Sequence, residues 1–505
     1  MKQEPLGRVD PSKMGVTERT VATLRAKASM AVSSSSRRLV SLLILALVYV
    51  LAWGPLLLTL DGIWWDDWTL TVGSSSSISE MFAQIGQPWF GWLHLVLQPV
   101  APVGHHLLSF ALFLVVGFLL WGILGSFHGL GRWEQLFVAV IFLVLPLNAA
   151  RNTMIVLPYT MSLALFYLAW YLLTRARQPS LTVLVMSGVL FFVSFSLNSL
   201  LVFFVVPMVH FWWMRHTDCG QTPWQFAKTY WPLLLLPLAY YVGKGVLYPP
   251  YGSQEGYNAL TQRGLLIGLF LLVLTGLPFA MMFYERARLS AVSRSVWLIG
   301  FGGASLVSLA IFPYVSVGHT PPFFEWQTRD QILMPLGLAV ILLAAVRLVS
   351  HCLGTTFAAV FAVLAVAISV VLSQRIGLEY WVDWRKQQAL IEAMRDDESL
   401  RAAQLVVFRD LTTDDNVFGS PYRFYAWNGL MTKAFGESTR FGINLSDVSR
   451  YVNGDLRYYY GTGGTLDYGA SGFVEPSEAT IVEVRREPTG QYSFKSSVVA
   501  TSELP

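Results

Sequence analysis

The sequence predicts a polytopic α-helical membrane protein of about eleven transmembrane helices, followed by a small C-terminal α/β domain. Three observations lead there. The 505-residue chain is 54% hydrophobic but only 13% charged, about half of the roughly 25% usual in soluble globular proteins. Apolar runs of roughly 20 residues, enough to cross a bilayer as a helix, recur through its first three quarters. They are continuous rather than alternating, as helices rather than barrel strands require. After Gln374 the composition turns polar and strand-like segments begin.

Residues 1–38 hold eight Lys/Arg against three Asp/Glu and end in "SSSSRR". They read as a disordered, basic cytoplasmic tail. The run from Leu39 to about Leu60 exceeds the roughly 7–15-residue core of a signal peptide and precedes no small-residue cleavage site, so it reads as a first span. Further runs at 104–125, 133–150, 154–174, 181–197, 199–214, 231–248, 263–284, 295–316, 330–349 and 356–374 complete a transmembrane domain over residues 39–374. The 181–214 region is the weakest part of that division, because "SFSLNSL" makes a poor hairpin.

Charge orients the spans. With an odd number of them, the short connections "GLGRWE", "RARQ", "MRHTDCGQTPWQFAK", "ERARLSAVSR" and "RLVSHCLG" fall on the N-terminal side. They carry Arg132, Arg175, Arg177, Arg215, Lys228, Arg286, Arg288, Arg294 and Arg347, whereas the opposite loops hold mainly Arg151, Arg263 and Arg329. The positive-inside rule puts the first set in the cytoplasm. The first loop, 61–103, and the C-terminal domain, 375–505, then share the exterior face. The net charge of +4 divides into −4 for residues 375–505 and +8 for the rest. The basic excess thus belongs to membrane orientation, and nothing in it points to nucleic acid. The two cysteines, Cys219 and Cys352, fall in cytoplasmic connections and offer neither a disulfide framework nor a thiolate metal site.

In the C-terminal domain, "IGLEYWVDWRKQQALIEAMRDD" reads as an amphipathic helix leaving the membrane and "AQLVVF" as a buried strand. "YRFYAWNGLMTKAFG" reads as a helix closed by a C-cap glycine. "ATIVEVRRE-PTGQ-YSFKSSVVA" alternates on both sides of a Pro/Gly turn, a hairpin. About 130 residues suffice for an independent core. The glycine-rich "YYYGTGGTLDYGASG" reads as a loop, and no internal repeat is present.

The chemistry centres on "LTLDGIWWDDWTLTVG", Leu58 to Gly73, just beyond the first span. Asp61, Asp66 and Asp67 stand among Trp64, Trp65 and Trp68. One reading is an interfacial aromatic belt with solvated acids. The other is functional, because ionised groups near the apolar phase are costly and usually serve a purpose. Neighbouring residues diverge by about 100° on a helix and about 180° in a strand. Asp66 and Asp67 therefore cannot do the same job.

An acidic pair after the first span, in the first exterior loop of an eleven-span chain with an exterior C-terminal domain, resembles the GT-C superfamily of membrane glycosyltransferases. "DDW" followed by "QIGQPWFGWL" is similar to an acidic-pair-then-Gly-Arg-Pro pattern in bacterial members related to O-antigen glucosylation, with Gln87 where those have arginine. "TRDQILMPLGLAVILLAA", Thr328 to Ala345, resembles the Arg…Pro opening of a late span in the superfamily.

The resemblance implies a polyprenyl-phosphate-sugar donor, a cell-envelope glycan or lipid-linked acceptor, membrane lipids as surroundings, and a place in a bacterial plasma membrane. It also implies an aspartate of the first loop as catalytic base. Such a transfer needs a base for the acceptor hydroxyl and cations for the departing phosphate. Asp66 or Asp67 supplies the base; Asp66 is the favoured one, with Asp67 orienting the acceptor or binding a metal, and inversion at the anomeric carbon is expected. Asp61, Trp65, Trp68 and Gln87 are the expected positioning residues.

The cation candidates are Arg329, whose guanidinium suits bidentate phosphate binding, then Arg151, His319, Lys244, His105 and His106. Four of these have plainer alternatives: Arg329 could pair with Asp330 or snorkel, Lys244 could snorkel, and His105 and His106 could be interfacial. The prolines Pro321 and Pro322 would hold the His319 loop extended. No HExxH motif, Cys/His cluster, P-loop, dinucleotide fingerprint or Gly-x-Ser-x-Gly elbow is present. A divalent cation, Mg²⁺ or Mn²⁺, would have only the acidic pair to bind it. The aromatic stretch "SPYRFYAWNG" could stack on sugar rings or form domain core. Two other classes remain as alternatives: a transporter or flippase of lipid-linked saccharides, and a non-catalytic envelope assembly protein. Few charges inside the spans argue against a polar transport path.

Overall fold

The structure is a computed structural model that describes residues 36, 38–127, 129–175, 178–255, 259–284, 291–323, 325–437, 439–460, 466, 468–470 and 472–504. Almost all of the basic N-terminal tail lies outside these residues. So do much of the glycine-rich loop before the hairpin and Arg177, Arg286 and Arg288.

The chain opens with helix α1 (Arg38–Thr59), whose last turn tightens to 3-10 geometry at Gly54–Thr59, where Pro55 removes a backbone donor. The first loop is itself helical: α2 (Asp67–Val72), α3 (Ser75–Gln84) and α4 (Pro88–Leu97). Then follow α5 (Val103–Leu124), α6 (Arg132–Val144), α7 (Leu157–Arg175), α8 (Leu181–Ser194), α9 (Ser199–Phe203) and α10 (Val205–Cys219). After α11 (Pro223–Leu234) and α12 (Leu236–Leu247) come α13 (Gln262–Tyr284), α14 (Ala291–Ser316), α15 (Met334–Leu353) and α16 (Thr355–Asp396).

Seven helical stretches are long and apolar enough to cross a bilayer: Arg38–Thr59, Val103–Leu124, Met154–Arg175, Ser199–Cys219, Ser295–Ser316, Met334–Leu353 and Thr355–Asp396. The other four expected spans are helical too but fall outside this group; Leu181–Ser194 is short, and α13 has Pro278 inside it. The run at 133–150 keeps helical form only to Val144, because Pro146 follows and Asn148 turns left-handed at φ 51°. The run at 231–248 is broken at Leu235, ahead of Pro237. These residues therefore form a polytopic helical protein, and the helices that meet the spanning criterion number seven among the described residues.

Where α6 ends, its freed carbonyls find new donors, as the end of a buried helix requires. Trp53 Nε1 donates to Leu143 O (3.0 Å), Ser373 Oγ to Val144 O (2.8 Å) and the Tyr380 hydroxyl to Ala149 O (2.9 Å). The unwound stretch is pinned on its other side by residues preceding α15. The Asn148 amide donates to Gln331 Oε1 (3.0 Å) and the Ala150 amide to Thr328 Oγ1 (3.0 Å). Helices α14 and α15 meet through Gly303 and Gly337, where a side-chain carbon on either would lie within 3 Å of the other's carbonyl oxygen. Small residues let membrane helices approach this closely.

At one end of the bundle, Arg347 on α15 grips Glu134 on α6 with two donors, at 2.5 and 2.7 Å. It also donates to Ser295 Oγ on α14 (2.6 Å) and to Gly129 O (2.9 Å). Arg347→Ala is expected to lower stability by about 1–2 kcal/mol, the net worth of charged hydrogen bonds discounted for partial exposure. A lower thermal midpoint in detergent checks this.

Helix α16 runs 42 residues, about 63 Å at 1.5 Å per residue. That is twice the roughly 30 Å apolar core of a bilayer, so the second half carries the C-terminal domain beyond it. After the short α17 (Glu398–Ala402) comes β1 (Leu405–Asp410), then α18 (Phe424–Phe435), β2 (Phe441–Asn444), β3 (Glu478–Arg486) and β4 (Tyr492–Ala500). The sheet order is β2-β1-β3-β4, with β1 parallel to both neighbours and β3–β4 an antiparallel hairpin. The expected strand, capped helix and hairpin are all present, Gly436 closing α18 at φ +78°. Strand β2 was not foreseen. Its four residues are all buried, so no alternation marks them.

A buried lysine and a buried aspartate on α16 shape the loops on one side of this domain. Lys386, fully buried on α16, donates to Asp410 Oδ2 (2.7 Å), Asn416 Oδ1 (2.6 Å) and Thr412 O (2.9 Å). Asp383, one turn earlier, accepts the Val417 amide (2.9 Å) and the Tyr422 hydroxyl. Together they hold residues 410–422 against α16.

Candidate functional site

The first loop, the unwound segment after α6, the 3-10 turn Trp326–Gln331 and the C-terminal domain meet at one end of the bundle. Trp65 turns left-handed, φ 51°, and delivers Asp66 and Asp67 at the start of α2. The two then part.

Asp67 is fully buried. Its Oδ2 accepts the Met154 amide (2.8 Å) and its Oδ1 the Ile155 amide (2.9 Å). These are first-turn donors of the helical stretch Met154–Arg175, which no residue within the helix can satisfy. A carboxylate there also meets the positive end of the helix dipole. Asp67 is therefore a cap supplied from another segment. Burial pushes its carboxyl well above the usual range, opposed by the two amides. With both oxygens spent and no access to ligand, it does not serve as the expected metal ligand or acceptor-orienting group. Among the described residues no group of three or more His, Cys, Asp or Glu converges, so the donor set for Mg²⁺ or Mn²⁺ is not assembled.

Asp66 is half-buried and faces the opposite way. Burial raises its pKa, while Arg329, a hydrogen bond from the Tyr425 hydroxyl, and Arg423 act to lower it. Arg329 belongs to the turn before α15, and its guanidinium lies over the Trp65 ring, 4.9 Å from the centroid. Its Nε is 3.8 Å from Asp330 Oδ1, and His319 Nδ1 is 3.8 Å from Asp330 Oδ2. Arg329 and His319 thus both stand beside Asp330, and for Arg329 this is the plainer pairing. Burial raises the Asp330 carboxyl, and Arg329 opposes that.

Beside Asp66 lies a cavity of about 390 Å³. Trp64, Trp65 and Trp68 form one wall, Glu325 to Gln327 another, and Asp383 with residues 418–426 a third. Asp66 itself does not line it, but stands between Trp65 and Trp68 and is joined to the wall through Tyr425. Helix α18 can seat there because residue 429 is glycine: a side-chain carbon would fall 2.1 Å from the Trp68 ring. Within "SPYRFYAWNG", Tyr422, Arg423 and Tyr425 line the cavity, whereas Trp427 stacks on Phe408 in the domain core at 4.0 Å. The core reading of that stretch holds for Trp427.

The remaining candidates sit elsewhere. Arg151 is buried between Trp53 and Phe113, its guanidinium carbon 3.5 and 4.3 Å from their ring centroids. Its nitrogens have no hydrogen-bond partner among the described residues, and cation–π contact is its main support. His105 Nε2 meets His94 Nδ1 at 3.2 Å, and His106 Nδ1 bonds Leu60 O at 2.8 Å. Both histidines are buried packing residues, not phosphate ligands. Lys244 reaches Asn198 Oδ1 (3.1 Å), and the buried Gln87 donates to Ser196 O (2.9 Å), bracing the first loop. Asp61 is exposed, and its charge is felt by Lys433.

Comparison with family models, curated proteins and solved structures finds no match to this chain. The site must speak for itself. Sequence reasoning passed over Trp326 and Asp383, both more than 250 residues from Asp66, and reached Arg423 and Tyr425 only as part of an aromatic stretch. The cluster of acids and tryptophans marks one wall only, and no local spacing announces the others.

Proposed function

We propose that this protein is a membrane glycosyltransferase of the GT-C type. It transfers a sugar from a polyprenyl-phosphate donor to a cell-envelope glycan or lipid-linked acceptor, at the non-cytoplasmic face of a bacterial plasma membrane. The observation that carries the reading is Asp66: a half-buried carboxylate that feels Arg329 and Arg423 and is joined by Tyr425 to the wall of a cavity.

Asp66 takes the proton of the acceptor hydroxyl, whose oxygen bonds to the anomeric carbon. The bond from that carbon to the phosphate oxygen breaks, and polyprenyl phosphate departs with the electron pair. Arg329 holds the charge it carries away. Attack in line by one base inverts the anomeric centre. Phosphate already leaves readily, so a second acid is not required. Asp67 serves indirectly, by fixing the turn that aims Asp66.

Activity is expected to rise with pH, with an acid limb whose midpoint lies above the ordinary carboxylate value of about 4. The sign follows from the base having to be ionised while burial raises its pKa. A folded-state pKa above the unfolded value favours the protonated folded chain, and that contribution is lost as pH rises through the folded pKa. Acid should therefore silence the enzyme before it unfolds it. Initial rates and circular dichroism over the same pH range check both halves. The decisive test of the reading is Asp66→Asn, measured on surface glycans.

A further inference from the structure

Resting on that reading of the site, we infer that the cavity between the first loop and the C-terminal domain is the acceptor subsite, and that it takes a neutral saccharide. Two independent features point there. The first is the wall. Trp326 stacks on Trp65 with centroids 5.7 Å apart and planes 4° from parallel, and Phe418 meets it edge-on at 5.3 Å. Trp68, Tyr422 and Tyr425 continue the lining. The ring C–H bonds of a pyranose carry slight positive charge and pack well on aromatic surface.

Trp65 and Phe418 both hold left-handed backbone, at φ 51° and 58°. That conformation is uncommon for bulky residues, and strain of this kind collects at ligand sites. Here it falls on two residues from different domains that face one cavity.

The second feature is charge. The charged lining residues are Glu325, Asp383 and Arg423; Asp383 is engaged by the Val417 amide and the Tyr422 hydroxyl, so Glu325 and Arg423 offset each other and the lining has no cationic excess to hold an anion. The phosphate-binding cation, Arg329, lies outside the lining. Arg423 offers a rigid fork of donors and Glu325 a pair of acceptors, which suit hydroxyl groups. At about 390 Å³ the space lies near the lower end of the roughly 300–1,000 Å³ of ligand pockets. A short glycan end fits it, and Tyr425 delivers that end to Asp66. The C-terminal domain is thus part of the site rather than an appendage.

The test is binding, followed by tryptophan fluorescence and saturation-transfer NMR on the full chain in detergent. The probes are neutral oligosaccharides of glucose, galactose, mannose, rhamnose and N-acetylglucosamine, with a hexuronic-acid trimer and inorganic phosphate for comparison. At least one neutral probe should bind, unaffected by phosphate. Phe418→Gly removes a wall where glycine suits the backbone, and Arg423→Gln removes the exposed fork. Each should weaken binding by roughly tenfold, the factor that 1.4 kcal/mol represents. Tight binding of the uronic trimer or phosphate in its place, no binding of any neutral probe, or binding that survives both variants overturns the inference. A chain that binds no neutral glycan yet loses transfer in Asp66→Asn would refute the subsite alone. Unchanged transfer in that variant would refute the enzyme reading instead.

Discussion

Asp66→Asn should reduce transfer by about 10²–10⁴-fold, the contribution of a positioned general base, with the protein still folded. The amide oxygen of asparagine can keep the hydrogen bond from Tyr425, and the volume is unchanged. Removing a carboxylate whose pKa burial has raised also relieves a desolvation cost, so the thermal midpoint should hold or rise. The loss belongs in kcat, because the proton moves only in the transition state. Mass spectrometry of surface glycans, from cells with and without the variant at equal protein levels, reads the effect as a missing sugar. Full modification in the variant would end the glycosyltransferase account.

The adjacent substitution should do the reverse. Asp67→Ala strips the acceptors from the Met154 and Ile155 amides and leaves two buried donors empty. Each costs about 1–3 kcal/mol, so the variant should lose about 2–6 kcal/mol. That is a large share of a typical stability of about 5–15 kcal/mol. Thermal unfolding in detergent should show a clear drop for Asp67→Ala and none for Asp66→Asn. Equal midpoints for Asp67→Ala and the parent would mean that the capping geometry contributes nothing. Together the two variants separate a reacting carboxylate from a supporting one, although only a peptide bond divides them.

Divergence of the pair was legible in advance, since neighbouring side chains on a helix must point apart. Which acid faced inward was not, because that depended on where Met154 would lie. Arg329 and His319, ten residues apart, were legible as a group, and the turn before α15 does bring them together around Asp330. Arg151, His105 and His106 looked equally suitable in sequence. Their burial is decided by Trp53, Phe113, His94 and Leu60, residues that spacing cannot assign to them. The span at 133–150 was overextended because its hydropathy outlasts its helix; Pro146 ends the ladder, and the freed carbonyls are met by α1 and α16.

The amino-acid sequence alone determined the polytopic helical class, the polar C-terminal α/β unit and the place of the acidic loop. Those follow from local quantities: run length, period, capping residues and the cost of burying charge. The tertiary structure decided which aspartate is buried against the Met154 and Ile155 amides, which one stays half-buried, and that the cavity has three walls. It also decided that one of those walls belongs to the C-terminal domain. Such facts come from contacts between Trp65 and Trp326, Trp68 and Gly429, and Asp66 and Tyr425, far apart in the chain. No short stretch of sequence encodes a distance of that kind, because it exists only once the helices have packed.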